Sequence, residues 1–420
     1  MALKKRTKEQ KDLDNSRAET IKEIYLHSEE IKLPQQALNW TAVVIVSLLF
    51  GLIAGFFGSW WQIIMKPAWL YPVESTSDQL SGILDLAAEQ NNNIKMSFDD
   101  ITIQNLSNQS VLIYINNYAV GADEWESLYT EDNLQGNGLI ITSDGWIVTT
   151  KSVINDVNED FLLITNDRQG FKPVEFVLDS YNDLIFVKID AIDLSPITIR
   201  SANSTKFGDE LLVLKNTLRF HQPFLYHTKL IGKNYTPIEN SNDFLHSTDK
   251  NDSLLILKND FDNTFIGAPL ANSNGDVIGI VNGAISGNGT ALNGFNLQVA
   301  VRNFLSSESS VSHNSLGVNY IDLAEVVGLP TELNQGYSKG ALVYGNADLK
   351  IKAVVVDSAA ANAKLEAGDI ILSVNDQNIE SGNSLNKLLQ EYPLGSTITL
   401  SVLKSSGDLE DVIVSLDINQ

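Results

Sequence analysis

From Ser110 onward the chain is written in short β-prone runs punctuated by turn residues, and this rhythm restricts its fold more than any other feature. Val111 to Ile115 is a β-branched run. Leu139-Ile140-Ile141-Thr142 is joined to Trp146-Ile147-Val148 through Ser143-Asp144-Gly145, and Phe161 to Thr165 turns at Asn166 to Gly170. Asn274-Gly275 is the strongest short hairpin signal. With almost no helical periodicity over about two hundred residues, the pattern predicts a mainly β architecture of antiparallel barrels or sandwiches. A chain of 420 residues has room for two or three such domains with real cores.

The pattern changes near Leu316. Leu316-Gly317-Val318 starts a strand and Gly340 to Val343 gives another. Ala359 to Leu365 reads as a short helix, and Gly368 to Asn375 as a turn followed by an alternating strand. Ser384 to Tyr392 places Leu385, Leu388 and Leu389 on one helical face, before a closing hairpin at Ser396 to Leu403 and Asp411 to Leu416. This is a compact α+β module.

The N-terminal part obeys different physics. No charged residue stands between Lys32 and Lys66, and Thr41 to Met65 is dominated by aliphatic residues, Phe and Gly. About 20 apolar residues span a bilayer core, so the run predicts a single transmembrane helix. Trp40 and Trp60-Trp61 stand where interfacial aromatics belong. The competing reading, a cleaved signal peptide, calls for a shorter apolar region that begins earlier. Lys4, Lys5, Arg6, Lys8 and Lys11 precede the run, and Glu74, Asp78 and Asp85 follow it. The positive-inside bias then leaves the N-terminus cytoplasmic and everything after Lys66 outside the cytoplasm, as in a single-pass cell-membrane protein. Ser47, Gly51, Gly55 and Ser59 form a small-residue face on which a second such helix can pack. Thr7 to Leu33 reads as a polar helix of a solvated tail ended by Pro34. Ser77 to Gln90 has helical spacing and fits either a self-associating stalk or a short helix lying on the next domain. The expected organisation is a cytoplasmic tail over 1–38, a membrane helix over 39–66, a linker or stalk over 67–104, a β domain over 105–308 and the α+β module over 313–420.

Composition removes several function classes. There is no cysteine, so neither a disulfide framework nor a thiolate site is available. His27, His221, His227, His246 and His313 show no metal-ligand spacing and read as partly exposed polar residues; no metal or cofactor is called for. The first forty residues hold eight Lys or Arg and seven Asp or Glu, which leaves 21 basic and 45 acidic residues of the total 29 and 52 for the remainder. A surface with that net charge of −24 repels nucleic acid.

Three segments carry chemistry. Gly136 to Thr150 resembles the G-S-G-x-I-I-x-x-x-G-x-I-V-T-N segment of the HtrA family of trypsin-like serine proteases. Ser180-Tyr181-Asn182-Asp183-Leu184-Ile185 is similar to the segment carrying that family's triad aspartate. Thr264-Phe265-Ile266-Gly267-Ala268-Pro269-Leu270, running into the Asn274-Gly275 hairpin, resembles its G-N-S-G-G-P-L nucleophile loop. The resemblance implies a trypsin-like double β-barrel and places Ser152 at the general-base position, Asp183 at the acid and Ile266 at the nucleophile. Isoleucine has no lone pair to attack a carbonyl, and serine does not accept a proton near neutral pH as imidazole does. Thr264 and Ala268 replace the glycines flanking the nucleophile. A β-branched residue disfavours the positive φ that a preformed oxyanion hole uses at Thr264. Ser273, Ser286 and Thr264 are the nearby hydroxyls, and Lys151, adjacent to the base position, is the basic candidate. Neighbouring residues on a strand point to opposite faces, so Lys151 and Ser152 are not expected both to face the site.

The α+β module resembles the PDZ domain that follows the protease domain in the same family. Ser315-Leu316-Gly317-Val318 matches the carboxylate-binding loop, and Val354 to Asn375 looks like V-x-x-G-S-P-A-x-x-A-G-L-x-x-G-D-x-I. The resemblance implies that peptide or unfolded-protein C-termini bind between that loop and the helix bearing Leu385 and Leu388. It also implies a homotrimer. The expectation is a membrane-anchored pseudoprotease acting as scaffold, sensor or adaptor; the alternative is an active endopeptidase with a relocated nucleophile, or one working in a mixed oligomer.

Overall fold

The computed structural model describes residues 98–116, 128–219, 222–307 and 309–419. The expected tail (1–38), membrane helix (39–66) and most of the linker (67–104) lie outside the described residues. Among the described residues, no helix is long and apolar enough to cross a membrane.

Helix α1 (Asp100–Asn108) opens the folded part, its first turn capped by the Asp99 carboxylate, which accepts from Thr102 N at 2.8 Å. The first β layer comprises β1 (Ser110–Ile115), β2 (Leu134–Ile140), β3 (Trp146–Thr150), β4 (Phe161–Ile164), β5 (Gly170–Phe171), β6 (Pro173–Asp179) and β7 (Leu184–Ile189). They form one antiparallel sheet in the order β5-β4-β1-β2-β3-β7-β6. The second comprises β8 (Glu210–Lys215), β9 (Phe224–Tyr235), β11 (Leu254–Leu257), β12 (Pro269–Ala271), β13 (Val277–Ile285) and β14 (Asn288–Asn293), closed into a barrel. The short strand β10 (His246–Ser247) leaves that barrel to join another sheet. Each layer buries its own aliphatic cluster, around Ile113, Ile147 and Val187 in the first and around Leu211, Val213, Leu230 and Leu270 in the second.

A third cluster lies between the two layers and is organised by α2 (Gly294–Ser307). Phe304 stacks on Phe186 at 4.3 Å between ring centroids and meets Trp146 edge-on at 4.6 Å. This fourteen-residue helix departs from the expected lack of helical periodicity. Leu297, Ala300, Val301, Phe304 and Leu305 are all buried and fall at the i, i+3, i+4, i+7 and i+8 positions of one helical face, a stripe that stands in the sequence directly after the β-prone runs.

The C-terminal module contains β16 (Asn319–Asp322), β17 (Ala341–Val343), β18 (Ile370–Val374), β19 (Gln377–Asn378), β20 (Thr397–Leu403) and β21 (Leu409–Ser415). Its helices are α3 (Thr331–Asn334), α4 (Ala359–Asn362) and α5 (Leu385–Gln390). Strands β15 (His313–Ser315) and β22 (Asp417–Asn419) pair separately. The Leu385 and Leu388 side chains pack with Leu316, Val318 and Tyr320 in its core.

Phe304→Ala removes the ring on which both layers close. A loss of roughly 3–5 kcal/mol in unfolding free energy is expected by denaturant titration. A loss below about 1 kcal/mol would mean that the layers do not depend on this shared core.

Candidate functional site

The loop Asp262–Ala268 links β11 to β12 of the second barrel, packs against the first layer and carries Ile266. Asn263–Phe265 form one turn of 3-10 helix capped by Asp262, and Ile266 ends it in an extended conformation with φ −60°. Side chains alternate between cores: Phe265 enters the second barrel's cluster, whereas Ile266, half-buried, packs on the first layer's cluster with Val153 and Ile154. Every amide from 264 to 268 has an acceptor inside the loop or its neighbour. Thr264 N–H donates to the Asp262 carboxylate at 2.9 Å. Phe265 N–H donates to Asp262 O at 3.0 Å, Ile266 N–H to Asn263 O at 3.1 Å, Gly267 N–H to Val281 O at 2.7 Å and Ala268 N–H to Phe265 O at 3.0 Å. An oxyanion hole consists of amides that point at empty space until charge develops there. At the two positions expected to supply them, Thr264 and Ile266, both amides are already engaged.

Strand β2 holds the loop in this form. Asn137 N–H donates to Ile266 O at 2.8 Å, and its side-chain amide donates to Thr264 O at 2.7 Å and Ile266 O at 3.1 Å. Gly267, at φ +81°, lets the chain pass so close that a Cβ there would stand 1.9 Å from Asn137 O. Gly136 does the same on the other side: a Cβ would meet Ile266 O at 2.5 Å and the Val153 side chain at 2.7 Å. Ile266 and the turn after β3 are thus neighbours across Gly136.

Ser152 sits exposed in that turn, its hydroxyl 2.9 Å from Thr150 Oγ1. Strand β3 ends at Thr150, so Lys151 and Ser152 are both exposed turn residues rather than alternating strand positions; strand geometry does not separate them. Asp183 occupies a left-handed turn at φ +53° with its side chain 54% exposed, and its carboxylate faces Lys250 Nζ at 3.9 Å. The Asp183 carbonyl accepts Lys151 N–H at 2.9 Å, which brings the base and acid positions together through backbone.

The basic residue that meets a loop hydroxyl is Lys215, not Lys151. Lys215 is 6% exposed, donates to Thr264 Oγ1 at 2.6 Å and lies 4.8 Å over the Phe265 ring. Thr264 Oγ1 in turn hydrogen-bonds the Asp262 carboxylate. The β8–β12 register, Val213 opposite Leu270, carries the end of β8 to this loop from 49 residues away, and no local sequence signal reports it.

Residues 136–280 match the trypsin-like peptidase domain model, a span containing Ser152, Asp183 and Ile266, and residues 350–404 match the PDZ domain model. A probable periplasmic serine endoprotease DegP-like protein of Chlamydia trachomatis is 26% identical over 285 residues, covering 66% of this chain and 53% of that protein. The periplasmic serine endoprotease DegP of Escherichia coli is 25% identical over 288 residues, covering 68% and 57% respectively. Both matched domains and the DegP-like relatives make the chain similar to the HtrA family. The chain spans about half the length of these curated relatives. The HtrA-type protease AlgW, solved with a tripeptide, has the same fold at a TM-score of 0.55 and 18% identity over 76% of this chain and 96% of that one.

The residues expected to form the carboxylate loop, Ser315, Leu316, Gly317 and Val318, are buried, with Gly317 at φ +76°. Leu385 and Leu388 on α5 are fully buried in the PDZ core. Two histidines read from sequence as partly exposed, His246 and His313, are 4% and 3% exposed, and both tie the PDZ domain to the rest of the HtrA fold. His313 Nε2 lies 2.8 Å from Asp179 Oδ1, with its ring stacked on Tyr181 at 4.4 Å. His246 lies between Asp252 Oδ2, 2.8 Å from Nδ1, and Glu325 Oε2, 3.2 Å from Nε2, against the Tyr320 ring. Burial pushes the His246 imidazole down. The hydrogen bonds to Asp252 and Glu325 and the charges of both carboxylates outweigh that and raise it to about 10.

A histidine whose pKa is raised on folding adds stability that is fully present below its unfolded value near 6.5 and declines as pH climbs through about 10. His246→Gln, neutral throughout, is therefore expected to lower Tm most near pH 6 and progressively less towards pH 10. The two Tm curves, measured across that range, converge if the carboxylate clamp is real; a constant offset would contradict it.

Proposed function

We propose that this chain is a membrane-anchored, extracytoplasmic HtrA-family pseudoprotease that holds peptide or unfolded-protein C-termini through its PDZ domain and does not cut them. The observation that carries the reading is the loop Asp262–Ala268, in which every amide from 264 to 268 is engaged internally. A site lacking nucleophile and imidazole falls by about a millionfold in a comparable triad. The residual catalysis such a site keeps comes from its oxyanion donors, and here those are engaged. The periplasmic relatives support the extracytoplasmic placement, the peptide-bound AlgW structures support peptide binding, and the charge-free run between Lys32 and Lys66 supports the anchor. Family resemblance adds a homotrimer, compatible with the small-residue face from Ser47 to Ser59.

One observation favours a second reading, an endopeptidase with a relocated nucleophile: the contact of Lys215 with the Thr264 hydroxyl. A lysine activates a hydroxyl by accepting its proton. In this arrangement Lys215 supplies a proton to Thr264 Oγ1 and Asp262 lies on its other side, the pattern of a charge pair bridged by a hydroxyl.

Incubation of the purified chain with a fluorophosphonate probe, followed by intact-mass analysis and an unfolded-protein degradation assay, separates the readings. No adduct and no fragments are expected. Stoichiometric labelling at any serine or at Thr264 would overturn the pseudoprotease reading.

A further inference from the structure

A PDZ groove offers an open strand edge beside a helix, with the amides of a preceding loop turned towards a carboxylate. In this chain that edge is taken. β10 arises from the segment linking β9 to β11 of the second barrel and pairs antiparallel with β16, His246 opposite Tyr320 and Ser247 opposite Asn319. The pairing runs one residue further: Thr248 N–H donates to Val318 O at 3.0 Å. The Thr248 hydroxyl accepts from Gly317 N–H at 3.0 Å and Val318 N–H at 3.1 Å, amides of the loop expected to receive a carboxylate. From the facing helix α5, the Asn386 side-chain amide donates to Ser247 O and Lys250 O, each at 2.9 Å. Asp249 accepts the Ser315 hydroxyl, and Leu245 packs on the PDZ cluster of Ile321 and Leu323. Thr248 is 0% exposed.

We propose that Leu245–Lys250 is an internal ligand of the PDZ groove, which a C-terminal peptide must displace to bind. The segment uses the bonds that an extended peptide would use: ladder bonds to the strand edge, an oxygen against the Gly317 and Val318 amides, and carbonyls on the helix side. Its other end is tied to the triad-equivalent region. Asn251 N–H donates to Tyr181 O at 2.8 Å, and Lys250 Nζ faces the Asp183 carboxylate at 3.9 Å. The same turn holds Lys151 through the Asp183 carbonyl. Expulsion of the segment therefore frees the contacts around Asp183 at the same time as it opens the groove, so peptide occupancy is read at the former active-site face. The inference rests on the reading that the PDZ domain binds peptides.

The chain has no cysteine, so Ser247→Cys with Asn319→Cys introduces the only two thiols. Because Thr248 N–H bonds Val318 O directly across the ladder, Ser247 and Asn319 form the adjacent non-hydrogen-bonded pair, whose Cα separation of about 4.5 Å suits a disulfide. The probe is a fluorescein-labelled peptide of residues 241–248 with a free carboxylate at Thr248, titrated by anisotropy into the full chain. The oxidised form is expected to bind at least about tenfold more weakly than the reduced form of the same polypeptide. Thr248→Pro, which loses both the ladder N–H and the hydroxyl, is expected to bind roughly tenfold more tightly than the unmodified chain, because the competent fraction rises. Equal binding by oxidised and reduced forms, with the disulfide verified by mass, overturns the internal ligand and leaves the peptide-binding reading standing. No binding by any form overturns both. If Thr248→Pro does not fold, the oxidised and reduced comparison decides alone.

Discussion

The hydrogen bonds between Asn137 and the loop Asp262–Ala268 govern what the rest of the molecule can do. One asparagine on β2 satisfies the carbonyls of Thr264 and Ile266 with its backbone and side-chain N–H groups, while its own carbonyl accepts the Thr149 hydroxyl at 2.6 Å. The loop is fixed at the junction of two hydrophobic clusters, with Phe265 committed to one and Ile266 to the other. In that setting the loop's amides turn inwards and become structural donors. Isoleucine at 266 then adds apolar burial to the junction, where a nucleophile would need a polar, partly open surrounding.

The same logic extends to the PDZ domain. Its strand edge, open to any extended peptide in an isolated module, is covered by a segment of the preceding barrel, and His246 braces that segment between two carboxylates. His313 makes a second tie, reaching Asp179 at the end of β6. The two domains thus meet through polar side chains of defined geometry as well as apolar packing. Such contacts have discrete made and broken states, which is what a sensor uses.

Much of this was legible in the chain. The hairpins at Ser143-Asp144-Gly145 and Asn274-Gly275 gave the antiparallel layers because turn chemistry is local, and the compact α+β module followed from its strand and helix periods, its PDZ character from the resemblance alone. The resemblance at the loop Asp262–Ala268 rested on Gly267, Pro269 and Leu270, and Gly267 stands where a Cβ would meet Asn137 O at 1.9 Å. What stayed hidden depends on residues far apart in sequence. Lys215 meets Thr264 through strand register, and His246-Ser247 is too short a strand to carry an alternation signal. The burial of His246 and His313 is likewise invisible locally, since each acquires its partners from another part of the fold.

The central claim is that this site lost its donor geometry together with its nucleophile and base, so that replacing the reactive side chains alone does not revive it. Fluorophosphonate labelling rates of Ser152→His/Ile266→Ser, compared with the same pair plus Thr264→Gly and Ala268→Gly, test it most directly. Both folded variants carry serine, histidine and Asp183, and only the second relieves the loop of its β-branched residue. The claim predicts an inert double variant and a quadruple variant that reacts faster by about a hundredfold or more, the scale of a lost oxyanion donor. A double variant that labels as fast as the quadruple one would contradict it.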